Sequence, residues 1–437
     1  MKLLLKLLAL VFVTLIVLSC DSNEPQTNST LSLTVEDVSC TEAWLQLKTT
    51  NLSLPNNITL FVNDLEYKNY LINNADTLLY IDSLQPNKNY TFKAVSFCNP
   101  EDGVNSNKIN TTTLDTTSHN FTWQTFTFGE HSSSTLYDVA IINENDIWAV
   151  GEIYMYDSIG NPDPACYNAV HWDGQSWKLK KIKTNACGGV DYPAIKAIFS
   201  FSTNDILFAH IDGSLSYYNG IEFTNDCSLI TQLNGSANKI WGRSRNNFYV
   251  VSRNGFIAHY QNSSWTKIES GIELNFYGIL GNEIDNNKYE ILCVSSKPSL
   301  STEKKIFKIE SNALLEVSNA GIHSSIIGLW FKSGKKYYIV GSGIFSKIDI
   351  ESNKGWTPVW QGITEYYTNS IDGNSLNDII ICGSFGEVLH YNGSSWLSYK
   401  DDPQVESNTY GTVKIKDDLI TIVGRSLSKA VITIGRR

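Results

Sequence analysis

The 437-residue chain is poor in the residues and motifs that mark several large classes of protein. It has six arginines, two methionines and no C-x-x-C pair, and it lacks G-x-S-x-G, H-E-x-x-H and a glycine-rich phosphate loop. The usual zinc, redox, hydrolase and nucleotide-binding signatures are therefore absent. A net charge of −10 argues against nucleic-acid binding, which needs a basic footprint. Beyond the first twenty residues no segment has the roughly 18 apolar residues of a membrane-spanning helix.

The first twenty residues have the features of an export signal. Lys2 and Lys6 precede the apolar run LLALVFVTLIVLS, and Cys20 closes the segment. The sequence Val17-Leu18-Ser19-Cys20 resembles the bacterial lipobox, which implies cleavage before Cys20 and a lipid on its side chain. We therefore expect a lipoprotein signal peptide at residues 1–20, a polar tether at residues 21–29, and a protein anchored by lipid to a membrane of the bacterial cell envelope.

Residues 30–115 read as short alternating strands separated by turn residues, which is typical of an all-β sandwich. Within them the stretch from Leu84 to Phe92, LQPNKNYTF, resembles the L-x-P-x-x-x-Y pattern of fibronectin type III domains. The resemblance implies that Tyr90 forms the tyrosine corner of that family. Such domains are usually spacers or binding platforms.

From residue 120 onward a strand-like segment recurs, beginning with NDIWAVG. The second residue of each copy is, in order, Asp146, Asp205, Asn247, Lys288, Lys336, Asp378 and Asp418, with steps of 59, 42, 41, 48, 42 and 40 residues. Seven copies at about forty residues are typical of the four-stranded blades of a β-propeller. We therefore predict an all-β chain: a fibronectin type III-like sandwich, then a seven-bladed propeller over residues 120–437, closed by the strand at 120–128.

A heptapeptide accompanies the repeat: HWDGQSW (171–177) returns as HYQNSSW (259–265) and HYNGSSW (390–396). Asp-Gly and Asn-Gly favour two-residue type I′ hairpins, so each copy should join the two outer strands of a blade. The turns resemble the Asp-box turns of sialidase-type propellers, which are structural. His171, His259 and His390 fall in non-adjacent blades, too far apart to share an ion, so no metal site is predicted.

Two features of the first blade point to specific sites. Cys166 and Cys187 lie in loop-like sequence of one repeat, so an oxidising envelope would allow them to form a disulfide. The long insertion from Glu152 to Ala169 is the best candidate for a contact surface. The candidate contact residues are Tyr154, Tyr156, Asp157, Asp163, Tyr167 and Tyr192. Asp157, Asn161 and Asp163 could also bind calcium, although a polar loop with turn residues explains them better.

The favoured function is non-catalytic binding or scaffolding at the cell surface, with a protein or a glycan as ligand, no catalytic residue and no required cofactor. The alternative is a carbohydrate-active enzyme that uses carboxylates facing the propeller channel. Two carboxylates about 5–10 Å apart beside a deep pocket would favour the enzyme.

Overall fold

A computed structural model describes residues 29–97, 103–184, 187–230, 236–285, 288–297, 302–359, 361–402, 405 and 408–437. The predicted signal peptide, its Cys20 and all but the last residue of the predicted tether lie outside the described residues. The chain divides into two compact units, Met1–Thr113 and Leu114–Arg437. Both are all-β where they are described, and no helix there is long and apolar enough to cross a membrane.

The first unit is a sandwich of two antiparallel sheets. One sheet has the order β1-β2-β5, and the other has the order β4-β3-β6-β7, with β8 also pairing with β6. The strands are β1 (Thr30–Val38), β2 (Ala43–Thr50), β3 (Asn56–Val62), β4 (Leu65–Ile72), β5 (Asp76–Ile81), β6 (Asn89–Ser96), β7 (Val104–Asn105) and β8 (Ile109–Thr112). Alternate residues of the facing strands, such as Leu45, Leu47 and Phe92, fill the space between the sheets. The phenolic oxygen of Tyr90 accepts a hydrogen bond of 2.9 Å from the backbone N–H of Gln85.

The described part of the second unit contains seven four-stranded antiparallel sheets, numbered here in chain order. Sheets one to three are β10 (Thr135–Asn143), β11 (Asp146–Ile153), β12 (Tyr167–Trp172), β13 (Trp177–Lys180); β14 (Ile195–Ser202), β15 (Asp205–His210), β16 (Leu215–Tyr218), β17 (Phe223–Asp226); and β18 (Ala237–Ser244), β19 (Asn247–Ser252), β20 (Ile257–Gln261), β21 (Ser264–Ile268). Sheets four to six are β22 (Asn275–Asp285), β23 (Lys288–Ser296), β24 (Lys304–Glu310), β25 (Ala313–Val317); β26 (Ile326–Lys332), β27 (Lys336–Gly341), β28 (Gly343–Lys347), β29 (Thr357–Pro358); and β30 (Thr368–Ser375), β31 (Asp378–Gly383), β32 (Val388–Tyr391), β33 (Trp396–Ser398). Sheet seven is β34 (Thr409–Lys416), β35 (Leu419–Ser426), β36 (Lys429–Arg436) and β9 (Thr122–Phe128).

The first strands of the seven sheets form a closed ring. Each contacts the first strand of the next sheet, and β34 contacts β10 to complete the circle. The ring is also closed within sheet seven, where β9 pairs with β36 in the register Phe128 to Ala430 through Thr122 to Arg436. This is the architecture of a β-propeller, and the prediction of repeated four-stranded sheets is confirmed.

The repeat read from the sequence marks one element of every sheet, its second strand. Six of the seven anchor residues, from Asp146 to Asp378, are the first residue of that strand, and the seventh, Asp418, directly precedes it. These strands are almost continuously apolar because neighbouring sheets cover both of their faces. β31, for example, is buried along its whole length. The core therefore forms layers between adjacent sheets, as where Trp148 of sheet one meets Phe208 of sheet two at 5.6 Å.

Of the three heptapeptide copies, the one in sheet three has the predicted two-residue hairpin. In sheet three, Gln261 pairs with Ser264 and both intervening residues, Asn262 and Ser263, have positive φ. In sheets one and six the paired residues are the tryptophan pair 172/177 and the pair 391/396, so the loop has four residues. There the first loop residue, Asp173 or Asn392, accepts two backbone N–H groups with its side-chain oxygen, which makes the longer turn stable.

Candidate binding face

The matched histidines of the heptapeptide serve the fold, each in the same way. His171 Nε2 lies 2.9 Å from Asp146 Oδ1, and the imidazole stacks on Trp148 at 4.1 Å. His259 Nε2 lies 3.0 Å from Asn247 Oδ1, and its ring stacks on Tyr249 at 4.0 Å. Each histidine thus ties the third strand of a sheet to the start of its second. No group of three or more metal-ligating side chains occurs in the described parts of the chain.

The copy in sheet six belongs to a larger buried network. His390 Nε2 lies 2.9 Å from Asp378 Oδ1, and the Arg437 guanidinium holds both oxygens of Asp378 at 3.0 and 2.6 Å. His390 Nδ1 lies 2.8 Å from His119 Nδ1. Burial favours a neutral acid, but the hydrogen bonds from His390, Arg437 and Asn374 outweigh it and lower the pKa of Asp378. Arg437 is therefore fastened to sheet six.

The predicted disulfide between Cys166 and Cys187 is wrong. Cys187 is bonded to Cys227, with 5.4 Å between their Cα atoms, and Cys166 is a thiol whose Sγ lies 3.2 Å from the carbonyl oxygen of Tyr192. Cys187 and Cys227 follow the fourth strands of sheets one and two, 40 residues apart. The bond joins equivalent loops of adjacent sheets, because one repeat along the chain is one step around the ring.

The loop predicted to be a contact surface is mostly bound to itself and its neighbours. Asp157 Oδ1 accepts the backbone N–H groups of Ile159 and Asn161 at 3.0 and 2.9 Å, so it stabilises its own turn. Asp163 Oδ2 lies 2.7 Å from Lys181 Nζ, and this hydrogen bond lowers the pKa of Asp163. The carboxylates of Asp157 and Asp163 thus have separate partners, and a calcium ion would compete with both.

The four predicted tyrosines divide into two groups. Tyr167 and Tyr192 flank Lys181, whose Nζ lies 4.6 and 5.9 Å from their ring centroids. The Tyr154 hydroxyl donates to Glu152 at 3.0 Å, and burial together with this carboxylate raises the pKa of Tyr154 to about 12. Tyr156 is 46% exposed and lies 5.0 Å from the His131 ring. Of the four, Tyr156 alone presents a large surface to solvent.

The strand register defines two faces of the propeller. We call the face at which the first strands begin the upper face; it carries the loops between second and third strands. The lower face carries the heptapeptide turns. All seven first strands have a β-bulge just below the upper face. The bulged residues are Tyr137, Lys196, Asn238, Tyr277, Ile327, Asn369 and Gly411.

Equivalent positions can therefore be compared around the upper face. Each second strand runs towards the upper face and pairs with the first strand of its sheet on both sides of the bulge. One residue of the second strand makes the first pair beyond the bulge, and the rim position is the residue that directly follows it in the chain; in sheet one it is Glu152, opposite Thr135. The seven rim residues are Glu152, Ile211, Arg253, Ser296, Ser342, Ser384 and Arg425. Sheets four to six have serine there, whereas sheets seven, one and three have charged side chains.

Lys196 joins these charges from the bulge of sheet two. Its Nζ lies 3.0 Å from the centroid of the Tyr137 ring. Burial lowers the pKa of Lys196 to about 8; Glu152 opposes this effect and Arg253 adds to it. Glu152 accepts hydrogen bonds from the hydroxyls of Tyr137 and Tyr154. We call Glu152, Lys196, Arg253 and Arg425 the charged arc.

Two bulky residues on the upper face were missed by the sequence analysis, Phe385 of sheet six and Leu427 of sheet seven. Both have positive φ, 58° and 52°, and they are 67% and 95% exposed. In the described part of the propeller, the other non-glycine residues with positive φ are asparagine, serine or aspartate. Bulky residues rarely adopt this conformation, whereas those polar residues tolerate it.

The Phe385 loop is held firmly in place. Ser384 N–H donates to the Tyr367 carbonyl at 2.9 Å, and Gly386 N–H donates to the Asn408 carbonyl at 2.7 Å. The buried Glu387 carboxylate accepts the hydroxyls of Thr364 and Ser398 at 2.5 and 2.6 Å. Strained backbone persists where its surroundings fix it in this way. Phe385 is thus an exposed aromatic side chain on a rigid loop.

Two carboxylates of the first strands, Asp138 and Asp372, already have lysine partners. Asp138 Oδ1 of sheet one lies 2.6 Å from Nζ of Lys239, which reaches across from sheet three and also lies 3.4 Å from Thr412 Oγ1 of sheet seven. Asp372 lies 3.4 Å from Lys414. A cavity of about 380 Å³ lies elsewhere, beside Lys308, and its Glu316 and Glu351 are paired with lysines. None of these pairs has the free acid and base that glycoside hydrolysis requires.

Solved structures with a similar backbone are β-propellers. "YCF48 bound to D1 peptide" aligns over 74% of this chain and 97% of its own, with a TM-score of 0.55 and 14% identity. "YCF48 from Cyanidioschyzon merolae" aligns over 72% and 98%, with a TM-score of 0.50 and 11% identity. The WD40 β-propeller domain of Doa1 has a TM-score of 0.49 and 12% identity. No protein-family model and no curated protein sequence matches the chain. At these identities the similarity shows the fold, which is a β-propeller.

Proposed function

We propose that this chain is a non-catalytic protein-binding module of the bacterial cell envelope, and that its partner docks on the upper face of a seven-bladed propeller. The seven four-stranded sheets are the seven blades. The lipobox at Cys20 provides the membrane anchor, and the first unit is a fibronectin type III-like spacer. The hydrogen bond between Gln85 and Tyr90 supports that interpretation, because it has the form of a tyrosine corner.

One observation carries the binding proposal: Phe385 and Leu427 are exposed, apolar and in the left-handed conformation on adjacent sheets of one face. Each would be less strained as glycine or asparagine, and each would cost less surface hydrophobicity as a polar residue. Fold stability thus explains neither side chain, whereas partner contact explains both. Other exposed apolar residues on this face are Tyr156, Ile159, Val190 and Ile211.

The chemistry of this face favours a protein over a glycan. Leu427, Ile159 and Ile211 are aliphatic side chains that pack against apolar side chains, whereas sugars stack on planar rings. The structurally similar YCF48 has been solved with a bound peptide, which supports a peptide or protein ligand here. The paired state of the ring carboxylates gives no support to the glycosidase alternative.

The test is selection of peptides from a display library on the immobilised full-length chain. Phe385→Gly should weaken binding of the selected peptides at least tenfold, because exposed aromatic anchors dominate interface energy. The matched control is Ile221→Ala, which removes a 90% exposed apolar side chain from the lower face. Equal binding by wild type and Phe385→Gly would overturn the assignment of this face. Release of sugar from a glycan substrate would overturn the non-catalytic proposal.

A further inference from the structure

The rim of the upper face is chemically divided into two halves, although its seven positions are equivalent in the fold. Sheets four, five and six have Ser296, Ser342 and Ser384 at the rim position. Sheets seven, one and three have Arg425, Glu152 and Arg253 at this position, and sheet two, whose rim residue is Ile211, adds Lys196 from its bulge. On the lower face, by contrast, the histidines of sheets one, three and six all have the same kind of partner, an aspartate or an asparagine. The repeat of the fold does not by itself account for the concentration of charged side chains in one half.

The two arginines of the arc, Arg253 and Arg425, lie on the surface and form no salt bridge in the described part of the chain. By contrast, Arg245 pairs with Asp205 at 2.8 Å, and Arg437 binds Asp378 and Asp418. Two of only six arginines in the chain thus stand unpaired on one arc. Lysine, which is far more abundant here, would serve solubility equally well, whereas arginine is suited to bidentate binding of carboxylates.

The composition of the arc indicates the kind of anion. Three cations and one carboxylate give a local excess of positive charge in a chain whose net charge is −10. That acidic background repels nucleic acids and other polyanions, whose binding needs many basic contacts. A single carboxylate would meet the cations without that penalty. Glu152, with its position set by two tyrosine hydroxyls, could then accept an N–H group of the same ligand.

We infer that the charged arc binds a carboxylate of a peptide segment, supplied either by an acidic side chain or by the C-terminus. The inference rests on the proposed function and adds a polar specificity to the apolar contacts of Phe385 and Leu427. Lys196 and the two arginines provide the charge, and the ring of Tyr137 beneath Lys196 holds the ammonium in place. Acidic segments that also carry apolar residues are the class of partner that this face fits.

The experiment measures fluorescence anisotropy of a labelled, C-terminally amidated peptide of glutamate and leucine with the full-length chain. Arg253→Gln and Arg425→Gln should each weaken binding about tenfold and reduce its salt dependence, because each removes a charge-assisted hydrogen bond. Glu152→Gln should strengthen binding a few-fold, because it removes the competing negative charge. The matched control is Arg243→Gln, which removes the same charge from the lower end of sheet three and should change nothing.

The opposite signs separate electrostatics from damage to the fold. If Glu152→Gln weakens binding as the arginine variants do, or if all variants bind as wild type, the inference is wrong. A second peptide, with glutamine for glutamate and a free C-terminus, identifies the source of the carboxylate, since binding of either peptide supports the arc. Binding of neither, or stronger competition by inorganic phosphate than by acetate, overturns it. In that event selection of Phe385-dependent peptides would still uphold the proposed function.

Discussion

The two faces of the propeller are built on the same seven sheets and differ in how strictly the sheets repeat. On the lower face the same contact recurs, a histidine of the third strand bonded to an aspartate or asparagine at the start of the second. On the upper face the rim position is occupied by glutamate, isoleucine, arginine or serine. The lower-face contact recurs in sheets one, three and six, where it ties the third strand of the sheet to the start of its second strand. Sheet-to-sheet variation on the upper face is where a single binding site can be built.

The backbone shows the same contrast. Lower-face turns that need positive φ use residues that tolerate it, such as Asn262 and Asn312. The upper face places Phe385 and Leu427 in that conformation. A repeat protein thus separates two kinds of evidence: recurring residues report stability, and departures from the recurring pattern report function.

The prediction with the largest expected effect tests whether the aspartate–histidine contacts of sheets one and six contribute equally to stability. Asp378→Ala should lower the free energy of unfolding by about 3–5 kcal/mol, because it removes the carboxylate partner of the buried His390 and one of the two carboxylate partners of Arg437. The measurement is urea denaturation. The matched variant Asp146→Ala removes the same residue from sheet one, where only the partly exposed His171 loses a partner, and should cost about 1 kcal/mol.

Equal losses in the two variants would contradict the view that the contact between Asp378 and Arg437 makes sheet six different from sheet one. The pKa of Asp378 provides a further check. The pKa of Asp378 is lower in the folded protein than in the unfolded chain. The carboxylate therefore stabilises the fold fully at a pH above its unfolded pKa, and this stabilisation is lost as the pH falls through its folded pKa.

The second prediction concerns the disulfide that joins loops of sheets one and two on the upper face. Cys187→Ser or Cys227→Ser should lower the free energy of unfolding by about 2–4 kcal/mol, because the disulfide closes a loop of 40 residues and restricts the unfolded chain. Urea denaturation under oxidising conditions measures the loss. Cys166→Ser, which removes a thiol outside this bond, is the control, and wild type under reducing conditions should match the two variants. A loss for Cys166→Ser as large as the others would contradict the pairing.

The fold could be predicted from the sequence because the second strands are buried on both faces. Their apolar runs recur with the period of the ring, so Asp146 and Asp378 mark the start of a strand in both the sequence and the structure. The disulfide partner was within reach of the same logic. Cys187 and Cys227 are one repeat apart, and equivalent loops of adjacent sheets are neighbours. The spacing of 40 residues indicates Cys227 as the partner of Cys187, whereas the predicted pairing of Cys166 with Cys187 ignores the period of the repeat.

The site could not be predicted in the same way. Arg253 and Arg425 occupy equivalent rim positions only when the strand register is known, since they lie 172 residues apart in sequence. The turn before Lys429 contains neither glycine nor asparagine, so nothing in the sequence signals the positive φ of Leu427. Tyr154 and Tyr167 were predicted to be contact residues because they are aromatic residues in a long loop. In the structure Tyr154 donates a hydrogen bond to Glu152, and the Tyr167 ring contacts the ammonium group of Lys181.

The third prediction concerns the residue of the second strand that directly precedes the rim position. This residue has a small side chain or none in six sheets and is His210 in sheet two. His210 is fully buried, and its Nε2 lies 2.8 Å from Ser216 Oγ. Burial lowers its pKa to about 4. As the pH falls below 6.5, His210 is protonated in the unfolded chain before it is protonated in the folded protein. The stability that is present above pH 6.5 is therefore lost progressively down to about pH 4. The loss attributable to His210 is about 3 kcal/mol at most.

Urea denaturation at pH 7 and pH 4 measures this loss in wild type and in His210→Gln. The variant should lose less stability between the two pH values by that amount, because the protonation of carboxylates is common to both proteins. His323→Gln, at an exposed position, is the control and should change with pH as wild type does. Identical pH dependence in wild type and His210→Gln would show that the buried histidine is not the acid-sensitive group.

The smallest effect, and the only gain, is expected at the exceptional turn of the upper face. Leu427→Gly should raise the free energy of unfolding by about 1 kcal/mol, because glycine adopts a φ of 52° without the steric cost that leucine pays, and the 95% exposed side chain contributes little burial. Thermal denaturation measures the gain. The matched lower-face variant Asn312→Gly should give little, because asparagine tolerates a φ of 62° and its Oδ1 also binds His259. A gain at Leu427 combined with weaker peptide binding would show that the leucine is kept at the expense of stability. A loss of stability would show that it packs into the fold, and would leave Phe385 as the sole apolar anchor of the proposed face.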